Sequence, residues 1–182
     1  MTPADYLEIE RHAGCKSEYY QGQVFPMAGA TGNHSLIVSN LTSYLNQQLR
    51  TKGCEVFPVN MRLQVAAAAF YTYPDVAVVC GRPEFADDQL DTLLNPVLVM
   101  EVASDSTADY DRGCKFERYR SLPSLVEYVT IAQDRAHIEQ YTRQDNHWFL
   151  TEYQDRNQTI QFSSVNTALA LVDVYAKVDF DR

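Results

Sequence analysis

Hydrophobic residues recur at three- and four-residue steps between Asn33 and Gly53, and this spacing predicts a helix with one buried stripe. The stripe consists of Ile37, Leu41, Tyr44, Leu45 and Leu49. A shorter apolar stripe begins after Thr2, which can cap a helix that has Pro3 in its first turn. We expect this first helix to end near Gly14.

Period-two alternation and β-branched or aromatic residues predict strands in the middle of the chain. Residues 17–20 and 23–27 flank Gln21-Gly22, and this dipeptide predicts a tight hairpin because glycine tolerates positive φ. Residues 54–65 and 71–80 are predicted as two strands, antiparallel to each other, joined through residues 66–69.

The next segment, residues 81–96, is polar and acidic and contains two prolines, so it is predicted as a surface loop with a helical turn at 87–94. Residues 97–103 form a nearly continuous apolar run, which is typical of a central strand. Ser106, with Asp109 three residues later, predicts the start of a helix that runs to about Ser121. Short strands are predicted at 125–132, 136–141, 148–153 and 159–162.

Composition narrows the function classes. With 182 residues and 46% hydrophobic content, the chain can bury one substantial core, and we predict a single domain over residues 1–182. The formal charge of −9 disfavours tight nonspecific binding to nucleic acid. No apolar run is long enough to cross a bilayer and the N-terminus lacks signal-peptide features, so we expect no membrane association and a cytoplasmic location. The four widely spaced cysteines are predicted to be reduced.

Two carboxylates stand at positions where core residues are expected. Asp75 lies in the apolar run 73–79 and Glu101 in the run 97–103. A buried, unpaired carboxylate is costly, so each acid requires a cation as partner. If the two strands are neighbours, both acids can converge on one hard, oxygen-rich site that suits Mg²⁺ or Mn²⁺.

The order and spacing of several short motifs along nearly the whole chain resemble the Uma2 family of the PD-(D/E)xK nuclease-like superfamily. The resemblance rests on Ser17-Glu18-Tyr19-Tyr20-Gln21-Gly22-Gln23-Val24, Asn33-His34, Val59-Asn60-Met61-Arg62-Leu63, Pro74-Asp75, Met100-Glu101-Val102-Ala103-Ser104-Asp105-Ser106-Thr107, Asp111-Arg112-Gly113-Cys114-Lys115-Phe116-Glu117-Arg118-Tyr119 and Val126-Glu127-Tyr128.

This resemblance implies a restriction-endonuclease-like α/β core, in which a mixed and largely antiparallel central sheet is flanked by helices. It also implies that Asp75 and Glu101 bind the divalent metal and that Glu18 adds a third carboxylate. Relatives normally carry a lysine two residues after the second acid, where this chain has Ala103. Lys115 on the following helix is the natural substitute. Asp105 is a smaller departure, at a position that is often proline in relatives, and Ala132 stands where an aspartate is often found.

Each candidate also has an ordinary structural interpretation. Asp75 follows a proline, where an aspartate often accepts backbone hydrogen bonds. Glu18 can be an exposed residue paired with Lys16 or Arg11, and Lys115 can pair with Asp111 as i, i+4 neighbours. His34 can cap or pack at its helix start, as opposed to binding substrate. Arg62 is the remaining substrate-binding candidate, for phosphate or for bridging carboxylates.

The sequence leaves three functions open. The first is a metal-dependent endonuclease with DNA as its partner, in which Asp75, Glu101, Lys115 and Glu18 are catalytic and a basic cleft forms around Arg62, Lys115, Arg118 and Arg120. The second is a catalytically silent binding or regulatory module, which Ala103 favours. The third is a hydrolase of a small phosphorylated metabolite. A homodimer is expected through the aromatic C-terminal half.

Overall fold

The computed structural model describes residues 1–104 and 108–181. Thirteen strands and five α-helices follow one another in these residues, together with a 3₁₀ turn at Ala66–Ala68 and a π-helical turn at Asp111–Lys115. In chain order they are α1 (Pro3–His12), β1 (Ser17–Tyr20), β2 (Gln23–Pro26), α2 (Gly32–Leu49), β3 (Cys54–Pro58), β4 (Arg62–Val65), β5 (Phe70–Thr72), β6 (Val76–Cys80), β7 (Thr92–Leu93), β8 (Leu98–Ala103), α3 (Ala108–Tyr110), α4 (Phe116–Tyr119), β9 (Glu127–Ala132), β10 (Ile138–Gln144), β11 (His147–Tyr153), β12 (Thr159–Phe162), β13 (Thr167–Ala170) and α5 (Leu171–Val174).

Local sequence signals account for the first third of the fold. Thr2 and Asp5 form a capping box, in which each side chain accepts a hydrogen bond from the other residue's backbone N–H. Gln21 and Gly22 both have positive φ, as a tight hairpin between β1 and β2 requires. The predicted second helix is also confirmed as α2, although it ends at Leu49, before Gly53. No helix in residues 1–104 and 108–181 combines the length and the apolar character needed to traverse a bilayer.

The two long strands predicted at 54–65 and 71–80 are each divided in two, and this corrects the prediction. Val59 adopts positive φ directly after Pro58, and Pro74 lacks an amide hydrogen for a ladder. The antiparallel hairpin therefore bends. Its outer halves, β3 and β6, join one sheet, whereas its inner halves, β4 and β5, join another.

The sheet that carries both predicted acids has the strand order β11-β10-β9-β8-β6-β3. All of its pairs are antiparallel except β8 with β9. One face, which includes Met100 and Val102, packs against α2 and the C-terminal segment. The opposite face, which includes Ala77 and Val99, packs against the second sheet and Tyr119. A largely antiparallel α/β architecture with one parallel pair in this sheet agrees with the predicted fold class.

Several element predictions need correction. Residues 87–94 contain no helical turn, because the loop folds back so that Thr92 and Leu93 form β7 and are fully buried. The strand β13 and the helix α5 carry too few patterned residues to be predicted. The predicted helix after β8 is present from Ala108 to Tyr119 and contains a π-helical turn, Asp111–Lys115. The predicted cap Ser106 and the departure at Asp105 lie outside the described residues.

Two of the cysteines predicted to be reduced are joined. Cys54 and Cys80 are direct partners in the β3–β6 register, and their sulfur atoms form a disulfide bond. Cys15 and Cys114 are free and exposed. A cross-strand pair of this kind depends on strand register, which a sequence separation of 26 residues does not reveal.

Glu127, at the start of β9, has a carboxylate with a structural role. It is fully buried and accepts hydrogen bonds from the backbone N–H groups of Ser163 and Ser164 at 3.0 and 3.1 Å. The hydroxyls of both serines and the amide nitrogen of Gln140 also donate to it. This side chain therefore fastens the β12–β13 turn to the central sheet.

Replacing Glu127 with alanine is expected to lower the free energy of unfolding by about 3 kcal/mol, because several buried donors lose their acceptor together. Urea denaturation followed by circular dichroism measures this change. Glu55→Ala, at an exposed strand position, is the control and should change the free energy by less than about 0.5 kcal/mol. Equal effects of the two substitutions would contradict the role assigned to Glu127.

Candidate active site

Asp75 and Glu101 come together because β6 and β8 are adjacent. Val76 pairs with Met100 in their antiparallel register, so the next step along the ladder brings Asp75 opposite Glu101 on the same face. The carboxylate of Asp75 accepts a hydrogen bond of 2.7 Å from the backbone N–H of Val102. Both acids are buried, at 8% and 3% exposure. The strand register therefore places the two carboxylates on one face of neighbouring strands, as the predicted convergence requires.

Two residues of the helical segment Ala108–Tyr119 contact Glu101. The hydroxyl of Tyr119 donates to Oε1 of Glu101 at 2.7 Å, and Nζ of Lys115 lies 3.3 Å from the same oxygen. Burial raises the pKa of Glu101, against the lowering effect of the Lys115 ammonium. The negative charges of Asp75 and Asp111 add to the upward shift of this pKa.

Lys115 is the cation of the site. Besides Glu101, its ammonium nitrogen lies 3.1 Å from Oδ1 of Asp111 and 3.5 Å from Oε1 of Glu18. Burial alone would lower the pKa of Lys115, but the charges of Glu101, Asp111 and Glu18 outweigh it and raise the pKa. The sequence left two positions open for the Lys115 ammonium, paired with Asp111 at i, i+4 or beside Glu101, and the structure contains both contacts.

Glu18 joins the site from the other sheet. It is 6% exposed, which excludes the predicted alternative of a solvent-facing residue. Its Oε1 accepts a hydrogen bond from the hydroxyl of Thr72 at 2.5 Å, and its Oε2 accepts one from the hydroxyl of Tyr110 at 2.7 Å. The bend in the β3–β6 hairpin makes this possible, since it turns the β1–β5 pair toward the sheet that carries Glu101.

His34, in the first turn of α2, contacts the other acid. Its Nε2 lies 3.1 and 3.2 Å from the two carboxylate oxygens of Asp75. The backbone N–H of His34 also donates to the hydroxyl of Thr31, which caps the helix. His34 was predicted as a substrate-binding residue, and in the structure its ring supports a carboxylate of the site.

Arg62 lies apart from this arrangement. It is 4% exposed, and its guanidinium donates to the hydroxyls of Tyr73 and Thr92, both at 3.0 Å. The Asp91 carboxylate lies 3.5 Å from the same guanidinium. A guanidinium that is buried and engaged in this way cannot reach an external phosphate without rearrangement, so the geometry does not support the predicted contact.

The predicted basic cleft is also not formed as expected. Of its four members, Arg62 and Lys115 are buried, and the Arg118 guanidinium lies 3.7 Å from the centre of the Tyr20 ring. Arg118 also donates to the hydroxyl of Tyr110 at 2.8 Å. Arg120 alone among the four is exposed. Of these cations, Lys115 contacts the site carboxylates directly, and Arg118 contacts Tyr110, whose hydroxyl donates to Glu18.

Three hydroxyl donors of the site were missed in the sequence. Tyr119 lies four residues after Lys115, on the same helical face, and this spacing could have identified it. It was assigned to the aromatic core, which is correct for its ring but does not describe its hydroxyl. Tyr110 and Thr72 carry no comparable signal, because both reach Glu18 only through the packing of the two sheets.

The donor set suits a hard divalent cation. Asp75 and Glu101 offer carboxylate oxygens only, and Mg²⁺ is commonly held by one or two carboxylates together with water and substrate phosphate. In addition, Oδ1 of Asp111 is buried, and its close cationic neighbour is the Lys115 ammonium at 3.1 Å. In residues 1–104 and 108–181, a compact group of three donors occurs elsewhere, at His137, Glu139 and Glu152.

Sequence comparisons identify a family model and two relatives that match most of the chain. The family model Uma2, described as "Putative restriction endonuclease", matches residues 3–172. Uncharacterized protein sll1609 of Synechocystis sp. (strain ATCC 27184 / PCC 6803 / Kazusa) is 40% identical over 164 residues, which are 90% of this chain and 93% of that protein. Uncharacterized protein slr1290 of the same strain is 32% identical over 181 residues, covering 99% of this chain and 94% of the relative.

A solved structure has the same fold. The crystal structure of a "putative nuclease belonging to DUF820" from Anabaena variabilis ATCC 29413 superimposes with a TM-score of 0.78. The alignment covers 97% of this chain and 98% of that one at 17% sequence identity. At this identity the likeness establishes a nuclease-like fold, and the chemistry has to be argued from the residues of the site.

Proposed function

The chain belongs to the Uma2 family, and from this premise we propose that it is a metal-dependent endonuclease that hydrolyses phosphodiester bonds in DNA. Asp75 and Glu101 would hold Mg²⁺ or Mn²⁺, with Glu18 as an additional carboxylate. When bound, the ion supplies positive charge that offsets the charge developing on the reacting phosphate.

The observation that carries the proposal is the position of Lys115. Its ammonium lies 3.3 Å from Glu101, although it comes from the helical segment and not from β8. The strand position that would hold the usual lysine is Ala103. Lys115 thus brings a cation to the strand acid from a different place in the chain. In the proposed reaction it polarises the phosphate or the attacking water.

The neighbouring residues keep this machinery in place. Tyr119 orients the carboxylate of Glu101, and the backbone N–H of Val102 orients that of Asp75. Thr72 and Tyr110 fix both oxygens of Glu18. Fixed donors of this kind reduce the reorganisation needed when charge develops in a transition state.

A catalytically silent module is the second candidate. The observation that favours it is that Lys115 already gives Glu18, Glu101 and Asp111 a shared cationic partner within 3.5 Å, so none of the three is left unpaired when no metal ion is bound. The overall charge of −9 and the engaged arginines also provide few contacts for a phosphate backbone. In this case the protein would bind a partner on the nuclease scaffold and cleave nothing.

One experiment separates the two candidates. The full chain is incubated with supercoiled plasmid DNA and either Mg²⁺ or Mn²⁺, with EDTA in a parallel reaction. An endonuclease produces nicked and linear DNA only with the metal ion. No cleavage in either metal, together with no Mn²⁺ binding in calorimetric titration, would exclude the proposed enzyme and leave the silent module.

The contact between His34 and Asp75 leads to a prediction about metal affinity. His34→Ala is expected to weaken Mn²⁺ binding about tenfold, because a residue that orients a ligand carboxylate contributes to affinity without touching the ion. Calorimetric titration measures the effect. His12→Ala, at an exposed position of α1, is the matched control and should leave affinity unchanged. Unaltered binding by the His34 variant would mean that this histidine only packs against Asp75.

We also propose that the enzyme is a cytoplasmic homodimer, in which two active sites address the two strands of DNA. The aromatic C-terminal half supports this assembly, since Phe149 and Leu150 on the edge strand β11 are each 51% exposed. Light scattering after size exclusion distinguishes a dimer from a monomer.

A further inference from the structure

A second group of metal-type ligands lies near the hairpin formed by β10 and β11. Nε2 of His137 and one carboxylate oxygen each of Glu139 and Glu152 all lie within 4.8 Å of one another. Strand register explains the grouping. Glu139 is directly opposite Glu152, and His137 precedes Glu139 by two residues, so its side chain points to the same face.

The two opposed carboxylates share a single arginine as their fixed positive charge. Like charges directly opposite each other across a strand pair are destabilising. Arg112 neutralises one of them, with its Nε 2.9 Å from Oε2 of Glu139. Arg112 brings one positive charge to two carboxylates, so the acidic pair keeps an excess of negative charge. A cation located beside His137 would remove it.

Two of the three ligands are already held in place. Oε2 of Glu139 accepts hydrogen bonds from Arg112 at 2.9 Å and from Thr130 and Tyr141 at 3.3 Å each, while Oε1 faces Nε2 of His137 at 3.9 Å. The hydroxyl of Tyr175 accepts from the backbone N–H of His137 and donates to its carbonyl. These contacts fix the Glu139 carboxylate and the backbone of His137, and Nη2 of Arg112 lies 3.5 Å from Nδ1 of the His137 ring.

The donor spacing also suits a small ion. Ligands at tetrahedral Zn²⁺ distances lie about 3.3 Å from one another. The two contacts of His137 Nε2, 3.1 Å to Glu152 and 3.9 Å to Glu139, lie on either side of this value. Glu152 is half exposed, so its side chain can adjust and the ion can enter from solvent.

We propose that His137, Glu139 and Glu152 form a binding site for a divalent transition-metal ion, with Zn²⁺ as the preferred occupant. Imidazole nitrogen combined with carboxylate oxygen favours Zn²⁺ over Mg²⁺, which prefers oxygen ligands alone. Three protein ligands leave a fourth position for water or for an anionic group of a ligand.

This site is separate from the one at Asp75 and Glu101, although both lie on the same face of the sheet. Glu101 is opposite Thr130, and Thr130 is opposite Glu139, so two strand spacings, about 10 Å, separate the two acids. The helical segment contributes Lys115 to one site and Arg112 to the other. The two sites can therefore be tested independently, and this proposal does not rest on nuclease activity.

Calorimetric titration of the full chain with Zn²⁺ tests the proposal. Wild-type protein is expected to bind one equivalent of Zn²⁺. The substitutions His137→Gln and Glu152→Gln should each weaken the affinity for this ion at least 100-fold. Glu152 is half exposed, so this variant keeps the fold even if the histidine variant does not. His147→Gln, at the other end of the hairpin, and Cys15→Ser/Cys114→Ser, which removes the free thiols, should bind as the wild type does.

The opposite results are equally specific. If wild-type protein binds no Zn²⁺, or if binding is unchanged in Glu152→Gln, the assignment is wrong, and the contacts with Arg112 and His137 are what stabilise the acidic pair. If Glu101→Gln abolishes the Zn²⁺ equivalent while Glu152→Gln retains it, the ion belongs to the other site, and the proposal is overturned without affecting the nuclease assignment.

Discussion

Replacing Glu101 with glutamine is expected to reduce metal-dependent DNA cleavage by about 10²- to 10³-fold. The amide is neutral and cannot bring negative charge to a divalent ion, although it has nearly the same shape as the carboxylate. Its oxygen can still accept the hydrogen bond from Tyr119, so the surroundings of the side chain are preserved. The loss of one fixed electrostatic contact at a reacting centre commonly costs 10²–10³ in rate, on the order of the effect expected here. Initial rates of plasmid nicking in Mg²⁺ measure it.

Two controls make this result specific. Glu8→Gln removes an exposed carboxylate from α1 and should cleave DNA at the wild-type rate. Thermal unfolding of the Glu101 variant should resemble that of the wild type, because burial penalises the charged form of this side chain and the amide oxygen still accepts from Tyr119. Cleavage that persists at the wild-type rate in Glu101→Gln would show that the nuclease activity comes from another site or from a contaminant.

Local sequence signals were sufficient for the elements that local contacts determine. The Thr2 cap and the Gln21-Gly22 turn each involve residues within a few positions of one another, and successive residues of the α2 stripe are at most four positions apart. The two strand acids were found for a related reason, since a carboxylate inside an apolar run is anomalous whatever the tertiary structure is. Their convergence then required only that β6 and β8 be neighbours.

The remainder depends on contacts between distant parts of the chain. The bend at Val59 and Pro74 distributes one hairpin over two sheets, and nothing in the strand composition distinguishes a bent hairpin from a straight one. The same bend brings Thr72 to Glu18. The Cys54–Cys80 bond depends on the β3–β6 register.

The residues of the candidate site also divide into those that local sequence identifies and those that depend on distant contacts. Lys115 could be selected because Ala103 left the expected strand position without a cation. The sequence does not show which carboxylates contact Lys115. Glu18, for example, lies far before Lys115 in the chain and reaches it only in the folded structure. Arg62 was selected for its charge alone. Its guanidinium donates to Tyr73 and Thr92 and lies beside a ring of α1, so it contributes to packing between α1 and the second sheet.

Replacing Lys115 with methionine is expected to reduce cleavage at least about 100-fold while Mn²⁺ binding stays or becomes tighter. The ammonium lies 3.3 Å from an oxygen of Glu101 and competes with an incoming ion for that oxygen. Without its charge the carboxylates attract a divalent ion more strongly, yet the group that polarises the phosphate or the water is gone. A metal ligand behaves differently, since its loss weakens metal binding and turnover together. Mn²⁺ titration and cleavage rates on the same preparation separate the two roles.

Stability provides the second measurement on this variant. Lys115→Met leaves Glu18, Glu101 and Asp111 buried without their shared cation, and an uncompensated buried charge costs about 3–5 kcal/mol. The double variant Lys115→Met/Asp111→Asn carries one charge less and should recover part of this loss, so it provides a folded protein in which cleavage can be measured. Saturating Mn²⁺ should raise the melting temperature of both variants, because the ion takes over the neutralising task. If the double variant cleaves DNA as the wild type does, Lys115 serves only to neutralise the acids, and the catalytic cation has to be another residue.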